Sequence, residues 1–225
     1  MMHQRISRKI IIYLFLFTIL ASVNNLKYIN LQIFKIDQIN ISGLDNIDNT
    51  NLYESIKNFK NKNIFLVDNF QISKNINSNN FVEEFKVFKE YPSTININII
   101  KTNFLGITKI NNIDYLIGSN GKFIKKTDKQ IIKLPFIFGS INVDEFLILN
   151  EFLNKSNFEL SKIESFYYYQ SKRWDIKTKK GLIIRLPSEL NVNLLNEVLQ
   201  ILEDEKFKDI KTLDFRQKNQ IITYE

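Results

Sequence analysis

Apolar and polar positions follow two rhythms along most of this chain, after one stretch that has none. That stretch is 10–23, IIIYLFLFTILASV, apolar all round and preceded by Arg5, Arg8 and Lys9. A bilayer core takes about 20 mostly apolar helical residues, and runs of about 10–14 also serve as signal-peptide cores or buried helices. The run continues weakly past Asn24-Asn25 through Leu26, Tyr28 and Ile29, so the expectation is a membrane anchor over 10–29 with Ile10, Leu14, Phe15, Phe17 and Leu20 in lipid. A cleaved signal peptide, with Ala21 and Val23 near the cleavage site, and a buried core helix stay as alternatives. The positive charges precede the run, which places the 1–9 tail in the cytoplasm and the body outside.

Behind the anchor the pattern predicts strand, helix, helix, strand, strand. Residues 30–41 read as a strand with an irregularity near Asp37-Gln38, ended by Ser42-Gly43. Asn49-Thr50 is the expected cap of a helix carrying Leu52, Ile56 and Phe59 on one face. Residues 63–68 read as an extended apolar link and 70–76 as a short helix capped by Asp68 or Asn69. Residues 81–91 read as a strand with Phe81, Phe85, Val87 and Tyr91 inward, broken by Pro92-Ser93. The cleanest alternation in the chain follows: Ile95, Ile97 and Ile99 against Asn96 and Asn98.

Past Lys101 the strands shorten and turn signals multiply. Strands are expected at 104–110, 113–117 and 123–124, with the turn 118–121 between the last two, and Leu134-Pro135 with Gly139 marks a loop. A helix spans 144–153 with Phe146, Leu149, Phe152 and Leu153 on one face. Strands at 163–169, 173–178 and 182–186 follow, the last two joined at Lys179-Lys180-Gly181. Ser188 or Asn191 caps a helix running to Leu202, and strands at 212–216 and 220–224 close the chain.

Composition adds limits. The hydrophobic fraction is 44%, that of a globular chain. The formal charge of +7 is spread along the sequence, which leans toward anionic lipid or wall polymer rather than nucleic acid for an exported body. There is no Cys, and the one His is His3 in the tail, so a thiol nucleophile, a thiolate metal site and a histidine base in the body are excluded. The acidic runs Glu83-Glu84 and Glu203-Asp204-Glu205 read as solvated charge. No cofactor is expected, and the chain does not read as an enzyme; a wall-modifying enzyme would need a titratable cleft that nothing here points to.

Three phrases carry a resemblance: FKIDQINISGL at 34–44, NIF at 63–65, and VEEFKVFKEYPST at 82–94, running on into the isoleucine alternation. In that element order they resemble a POTRA domain, in particular that of the FtsQ/DivIB family of cell division proteins. The second half is similar to the same family through YLIGSNG at 115–121, Leu134-Pro135 with Gly139, Arg173-Trp174, GLIIRLP at 181–187 and LDFR at 213–216. Two departures stand out. Gly118 stands where the family usually has an acid, and Lys101-Thr102-Asn103 replaces the usual acidic and basic pair at the domain junction.

The resemblance implies an α+β protein: one transmembrane helix, a βααββ POTRA domain over 30–101, and a mixed β-sheet domain with packed helices over 102–225. It implies a non-catalytic divisome scaffold in the bacterial inner membrane at the septum, which recruits FtsB and FtsL and so helps control septal wall synthesis. A bare POTRA match also fits a translocation or outer-membrane assembly factor, which would bring a β-barrel or tandem POTRA repeats. A last strand is often an edge with unpaired backbone groups, able to accept a partner strand. Carried across from the family, the partner-binding residues are Phe215, Arg216, Gln217, Ile221, Ile222, Thr223 and Tyr224, with Lys172 and Arg173 facing acidic FtsB residues. Trp174 is expected in the core. A second contact, with other divisome members, is expected on the POTRA edge at Val87, Lys89, Tyr91, Pro92 and Thr94.

Overall fold

A computed structural model describes residues 8–23, 34–127, 133–204, 210–217 and 220–224. The chain divides into two units, Met1–Ile76 with Lys86–Asn98, and Asn77–Phe85 with Ile99–Glu225.

The apolar run forms α1 (Arg8–Val23), a helix of 16 residues and so about 24 Å long. Every side chain from Ile10 to Phe17 is large, apolar and 48–71% exposed. Its two hydroxyls are satisfied within the helix, Thr18 Oγ1 donating to the Phe15 carbonyl and Ser22 Oγ to that of Ile19. Among the described residues no helix is long and apolar enough to cross a membrane. Residues 24–29 of the expected anchor lie outside the described residues.

The described residues up to Lys101 follow the predicted order. β1 (Gln38–Ser42) runs parallel to β3 (Thr94–Lys101), with Ile39 opposite Ile95 and Ile41 opposite Ile97. β2 (Val82–Glu90) lies on the other side of β3, so the sheet order is β1-β3-β2 and β2 is an edge. The alternation is its own explanation: Ile95, Ile97 and Ile99 are buried, and the polar set pairs across the other face, Asn40 Nδ2 to Asn96 Oδ1 at 2.8 Å and Ser42 Oγ to Asn98 Oδ1 at 3.0 Å. α2 (Asn46–Ile56), a 3₁₀ turn at Lys57–Phe59, and α3 (Asn69–Asn77) bury Leu52, Ile56, Phe59, Ile72 and Ile76.

Four expectations in this region are corrected. The first strand is confined to 38–42; its earlier described part pairs with a turn instead, Ile36 N–H with the Lys62 carbonyl and Ile64 N–H with that of Phe34, and residues 30–33 lie outside the described residues. α2 starts at Asn46, not after Asn49-Thr50: docking Leu52 and Ile56 outweighs the weak helix propensity of its first turns. Residues 63–67 are not extended. The Asn63 side chain accepts from Phe65 N–H at 2.9 Å and its carbonyl from Leu66 and Val67, which closes a turn. Tyr91 is exposed rather than inward. The cap of α3 is as predicted, Asp68 Oδ1 accepting from Phe70 N–H at 2.9 Å.

Among the described residues, the second unit has nine short strands: β4 (Phe104–Ile110), β5 (Ile113–Gly118), β6 (Phe123–Lys125), β7 (Phe136–Phe138), β8 (Ile163–Tyr169), β9 (Arg173–Thr178), β10 (Ile183–Arg185), β11 (Thr212–Asp214) and β12 (Ile222–Tyr224). Their order in the sheet is β12-β11-β10-β9-β8-β7-β4-β5-β6. Sequence reading missed β7, a three-residue strand parallel to both β4 and β8. α4 (Val143–Lys155) and α5 (Val192–Glu203) cover one face. Asn142 caps the first, accepting from Asp144 and Glu145 N–H, and Asn191 the second, accepting from Leu194 N–H. Between helices and sheet lies the core, where Phe146 and Leu149 of α4 and Leu195 and Val198 of α5 meet Ile137, Phe166, Ile176, Ile184 and Leu213. Trp174 is 1% exposed in this core, as expected.

The turn 118–121 is tied to the 77–85 segment. Ser119 Oγ donates to Glu83 at 2.7 Å, Asn120 Nδ2 to the Asn80 and Val82 carbonyls, and Lys122 Nζ to the Asn77 carbonyl. Glu83 is therefore a half-buried acceptor, not the solvated charge expected. The two family departures meet here: a Cβ on Gly118 would fall 2.7 Å from Thr102 Oγ1 and 2.5 Å from Asn120 Oδ1. An acid at 118 has no room beside Thr102.

Candidate functional site

The last strand ends the large sheet. β12 pairs antiparallel with β11, Leu213 opposite Thr223, and no strand among the described residues lies on its other side. Ile221 and Tyr224 are 44% and 48% exposed. Lys218 and Glu225, which would guard this edge, lie outside the described residues.

Pairing registers carry one row of residues across six strands on the face opposite the helices: Phe138, Tyr167, Asp175, Arg185, Asp214 and Ile222. The charged members form a chain of alternating sign. Arg173 Nε stands 3.9 Å from Asp175 Oδ1, Arg185 Nε 4.0 Å from Asp175 Oδ2, and Arg185 Nη1 3.7 Å from Asp214 Oδ2. Arg216 closes on Asp214 with Nε 2.7 and 2.9 Å from the two oxygens and Nη2 on Oδ2, a bidentate clamp. Tyr169 OH donates to Asp175 Oδ2 at 3.2 Å, and the Arg173 guanidinium lies 4.8 Å from the Tyr169 ring. Arg185 reaches toward the Tyr224 ring at 6.0 Å.

The two aspartates are both buried beside these arginines, but their pKa values are shifted in opposite directions. Hydrogen bonds from Arg216 hold the Asp214 carboxyl below its ordinary value. Burial raises Asp175, against the hydrogen bond from Tyr169 and the charges of Arg173 and Arg185. Burial, and then the Asp175 charge, raises the Tyr169 phenol. Asp175 Oδ1 and Arg173 Nε are buried without a hydrogen-bond partner, so their contact is Coulombic only. Among the described residues, three arginines face two aspartates in this chain of charges.

Next to that edge opens a groove of about 710 Å³, lined by Glu189, Leu194, Glu197, Arg216, Gln217 and Ile221 among others. It runs from the start of α5 to the β11–β12 connection.

Of the residues singled out from sequence, Arg216, Ile222 and Tyr224 come together on this edge, with Gln217 and Ile221 at the groove, and Arg173 is linked to them only through the chain of charges from β9. Phe215 does not join them as surface: it is 5% exposed, its ring in the core. Lys172 is separate too, its ammonium 3.8 Å from Glu145 at the start of α4. Thr223 is exposed on the face of β12 that continues the core row. Sequence reading missed Asp175, Arg185 and Asp214; the signal was there in Arg173-x-Asp175 and Asp214-x-Arg216, charge pairs at strand period within apolar strands.

The residues of the expected POTRA contact lie on β2, the turn after it and the start of β3. Val87 is half-buried and Thr94 sits in β3 opposite Gln38. Lys89 Nζ donates to the Val67 carbonyl at 2.7 Å, and Pro92 is exposed. Tyr91 stacks on Phe65 at 4.8 Å.

Two family models match this chain: "POTRA domain, FtsQ-type" over residues 34–101, and "Cell division protein FtsQ/DivIB, C-terminal" over 107–216. The second match stops before β12. Cell division protein FtsQ of Rickettsia bellii is 28% identical over 189 residues, which is 83% of this chain and 70% of that protein. DivIB of Clostridium botulinum strain Hall is 27% identical over 134 residues, 60% of this chain and 50% of that one. The extracytoplasmic domain of DivIB from Geobacillus stearothermophilus matches at TM-score 0.31 and 12% identity, over 44% of this chain and 87% of that one, a likeness too loose to bear on the fold.

Proposed function

The chain belongs to the FtsQ/DivIB family of bacterial cell division proteins, and from that premise we propose that it is a non-catalytic assembly factor of the division machinery that captures FtsB together with FtsL. It is held in the inner membrane by α1, with the N-terminus cytoplasmic, the POTRA domain over 30–101 and the β domain over 102–225 outside, at the septum. Through that capture it helps control septal wall synthesis.

The observation that carries the reading is the edge of β12, which no strand among the described residues covers, beside a chain of charges in which three arginines meet two aspartates. An extended partner segment can add to the edge through backbone hydrogen bonds, which supply affinity in any sequence. Specificity then comes from side chains: acids on the partner meet Arg173, Arg185 and Arg216, and apolar residues meet Ile222, Tyr224 and the groove by Ile221. Because Asp214 and Asp175 hold the guanidinium groups in place beforehand, a partner carboxylate orders little on arrival.

The test is titration of the full chain, and of a chain ending at Arg216, with the extracytoplasmic FtsB–FtsL pair of the same organism. Side chains of β12 contribute little to the core, so the shorter chain keeps its circular dichroism spectrum and loses binding. Arg216→Glu in the full chain weakens binding by at least about tenfold, the scale of one charge reversal at an interface. Equal binding by the full and shortened chains moves the site off this edge. No binding by either rejects the partner.

A further inference from the structure

The first unit carries a group of exposed aromatic and aliphatic side chains that the edge reading does not use. Three of the six residues in 65–70 are large and apolar, and all stand in solvent: Phe65 is 54% exposed, Leu66 70% and Phe70 72%. The turn closed by Asn63 and the cap made by Asp68 hold this segment in shape, so the exposure is built in. Phe65 stacks on Tyr91, itself 55% exposed, and meets Phe34 edge-on at 5.1 Å. Single exposed apolar residues are ordinary, but a contiguous group is a contact surface.

We propose that this group, Phe65, Leu66, Phe70 and Tyr91, seats in the interfacial layer of an anionic bilayer, the same one that α1 enters. The inference rests on the anchor reading of α1. Chain length favours this occupant. Phe34 follows Val23 by only eleven residues, at most about 40 Å of extended chain, so a bilayer holding α1 is within reach of the patch. The charges agree. Lys60 and Lys62 are exposed just before the patch, Lys62 lying 4.9 Å from the Phe59 ring, and Lys35 pairs with Asn63 at its base. Lys89 closes the turn from the other side, on the Val67 carbonyl. Asp68 lies in the segment, and its Oδ1 is directed at the Phe70 N–H. Aromatic rings with lysines around them are the composition that sits at a lipid headgroup boundary, rings in the acyl border and ammonium groups among the phosphates.

The experiment reads depth directly. The full chain carrying Phe70→Trp is reconstituted into vesicles of equal parts phosphatidylcholine and phosphatidylglycerol, with and without acyl-brominated lipid. Trp174, the one native tryptophan, is buried in the core of the second unit, and the unsubstituted chain gives its background. Flotation of the vesicles tests the anchor by itself. The expected result is co-flotation, a blue-shifted Phe70→Trp emission, and loss of most of that emission with brominated lipid. Adding Leu66→Glu, at a side chain that packs on little, restores it. Co-flotation with a reporter quenched by aqueous iodide and not by brominated lipid overturns the inference and leaves the anchor standing. Protection from both quenchers that grows with the protein-to-lipid ratio assigns the patch to a second copy and also overturns it. A chain that does not float overturns the anchor reading and this inference together.

Discussion

Asp175 and Asp214 stand two strands apart in one row, share Arg185, and hold their protons in opposite senses. The difference is the partner. Arg216 clamps Asp214 with aligned hydrogen bonds, whereas Asp175 has guanidinium groups near 4 Å and no hydrogen bond to Oδ1. The sign of the pH effect follows. Asp214 is held below its ordinary 3.8, so its stabilisation is complete at neutral pH and is lost as pH falls through the depressed value. Asp175 is raised above 3.8, so its contribution is complete in acid and is lost as pH rises through the raised value. In urea titrations, Asp214→Asn loses about 1–3 kcal/mol at neutral pH, the scale of a hydrogen-bonded charge, and the loss shrinks toward acid. Asp175→Asn shows the opposite trend, comparing better with the unsubstituted chain at neutral pH than in acid. If both substitutions shift stability in parallel with pH, the assignment of these two environments is wrong.

At the scale of elements, the large sheet depends on a strand of only three residues. β7 joins the β4–β5–β6 group to the β8–β12 group by pairing in parallel on both sides. It ends at Gly139, whose φ is +106° and where a Cβ would fall 2.1 Å from the Tyr168 carbonyl oxygen. Neither the backbone region nor the close approach admits another residue. Gly139→Ala therefore lowers unfolding free energy by about 3 kcal/mol or more, or leaves the second unit unfolded. A midpoint in a thermal melt within a degree or two of the native chain would contradict the close approach. β7 escapes sequence reading for the same reason that it matters: three residues flanked on both sides give no alternation, and Leu134-Pro135 and Gly139 look like loop chemistry. The longer elements were legible because one face is buried and one is wet, as in β3 and in α4.

For the whole molecule, the proposed partner and the proposed anchor set the behaviour expected. An acidic partner of the kind proposed would be steered toward the β12 edge by the net charge of +7. Association with the FtsB–FtsL pair then slows severalfold as salt rises from about 0.1 M to 1 M, over which the screening length falls from about 10 to about 3 Å. Dissociation changes less, because it is governed by the backbone pairing. Stopped-flow rates that are flat in salt would remove electrostatic steering from the account. The proposed anchorage by α1 is tested by Leu14→Lys, a charge in the middle of the apolar helix, which costs insertion about 2.5–3.5 kcal/mol. The expected outcome is a shift of the chain out of the carbonate-resistant membrane fraction.

Local pattern determined a great deal here. The βααββ order, the isoleucine face of β3, the Asn191 cap and the buried Trp174 follow from period, turn chemistry and side-chain size, which act between near neighbours in sequence. The family's phrases lie on those same elements. What only the tertiary structure decided is lateral. That Asp175, Arg185 and Asp214 form one row depends on the register of the β9–β10 hairpin and on β11 returning beside it after α5. That Phe215 is core while Arg216 is surface depends on which face of β11 meets α5. That 63–67 is a turn with Phe65 and Leu66 outward and Ile64 and Val67 buried depends on the Asn63 side chain reaching two residues along. Strand register and facing are set by the collective fit of the core, and no window of neighbouring residues contains that information.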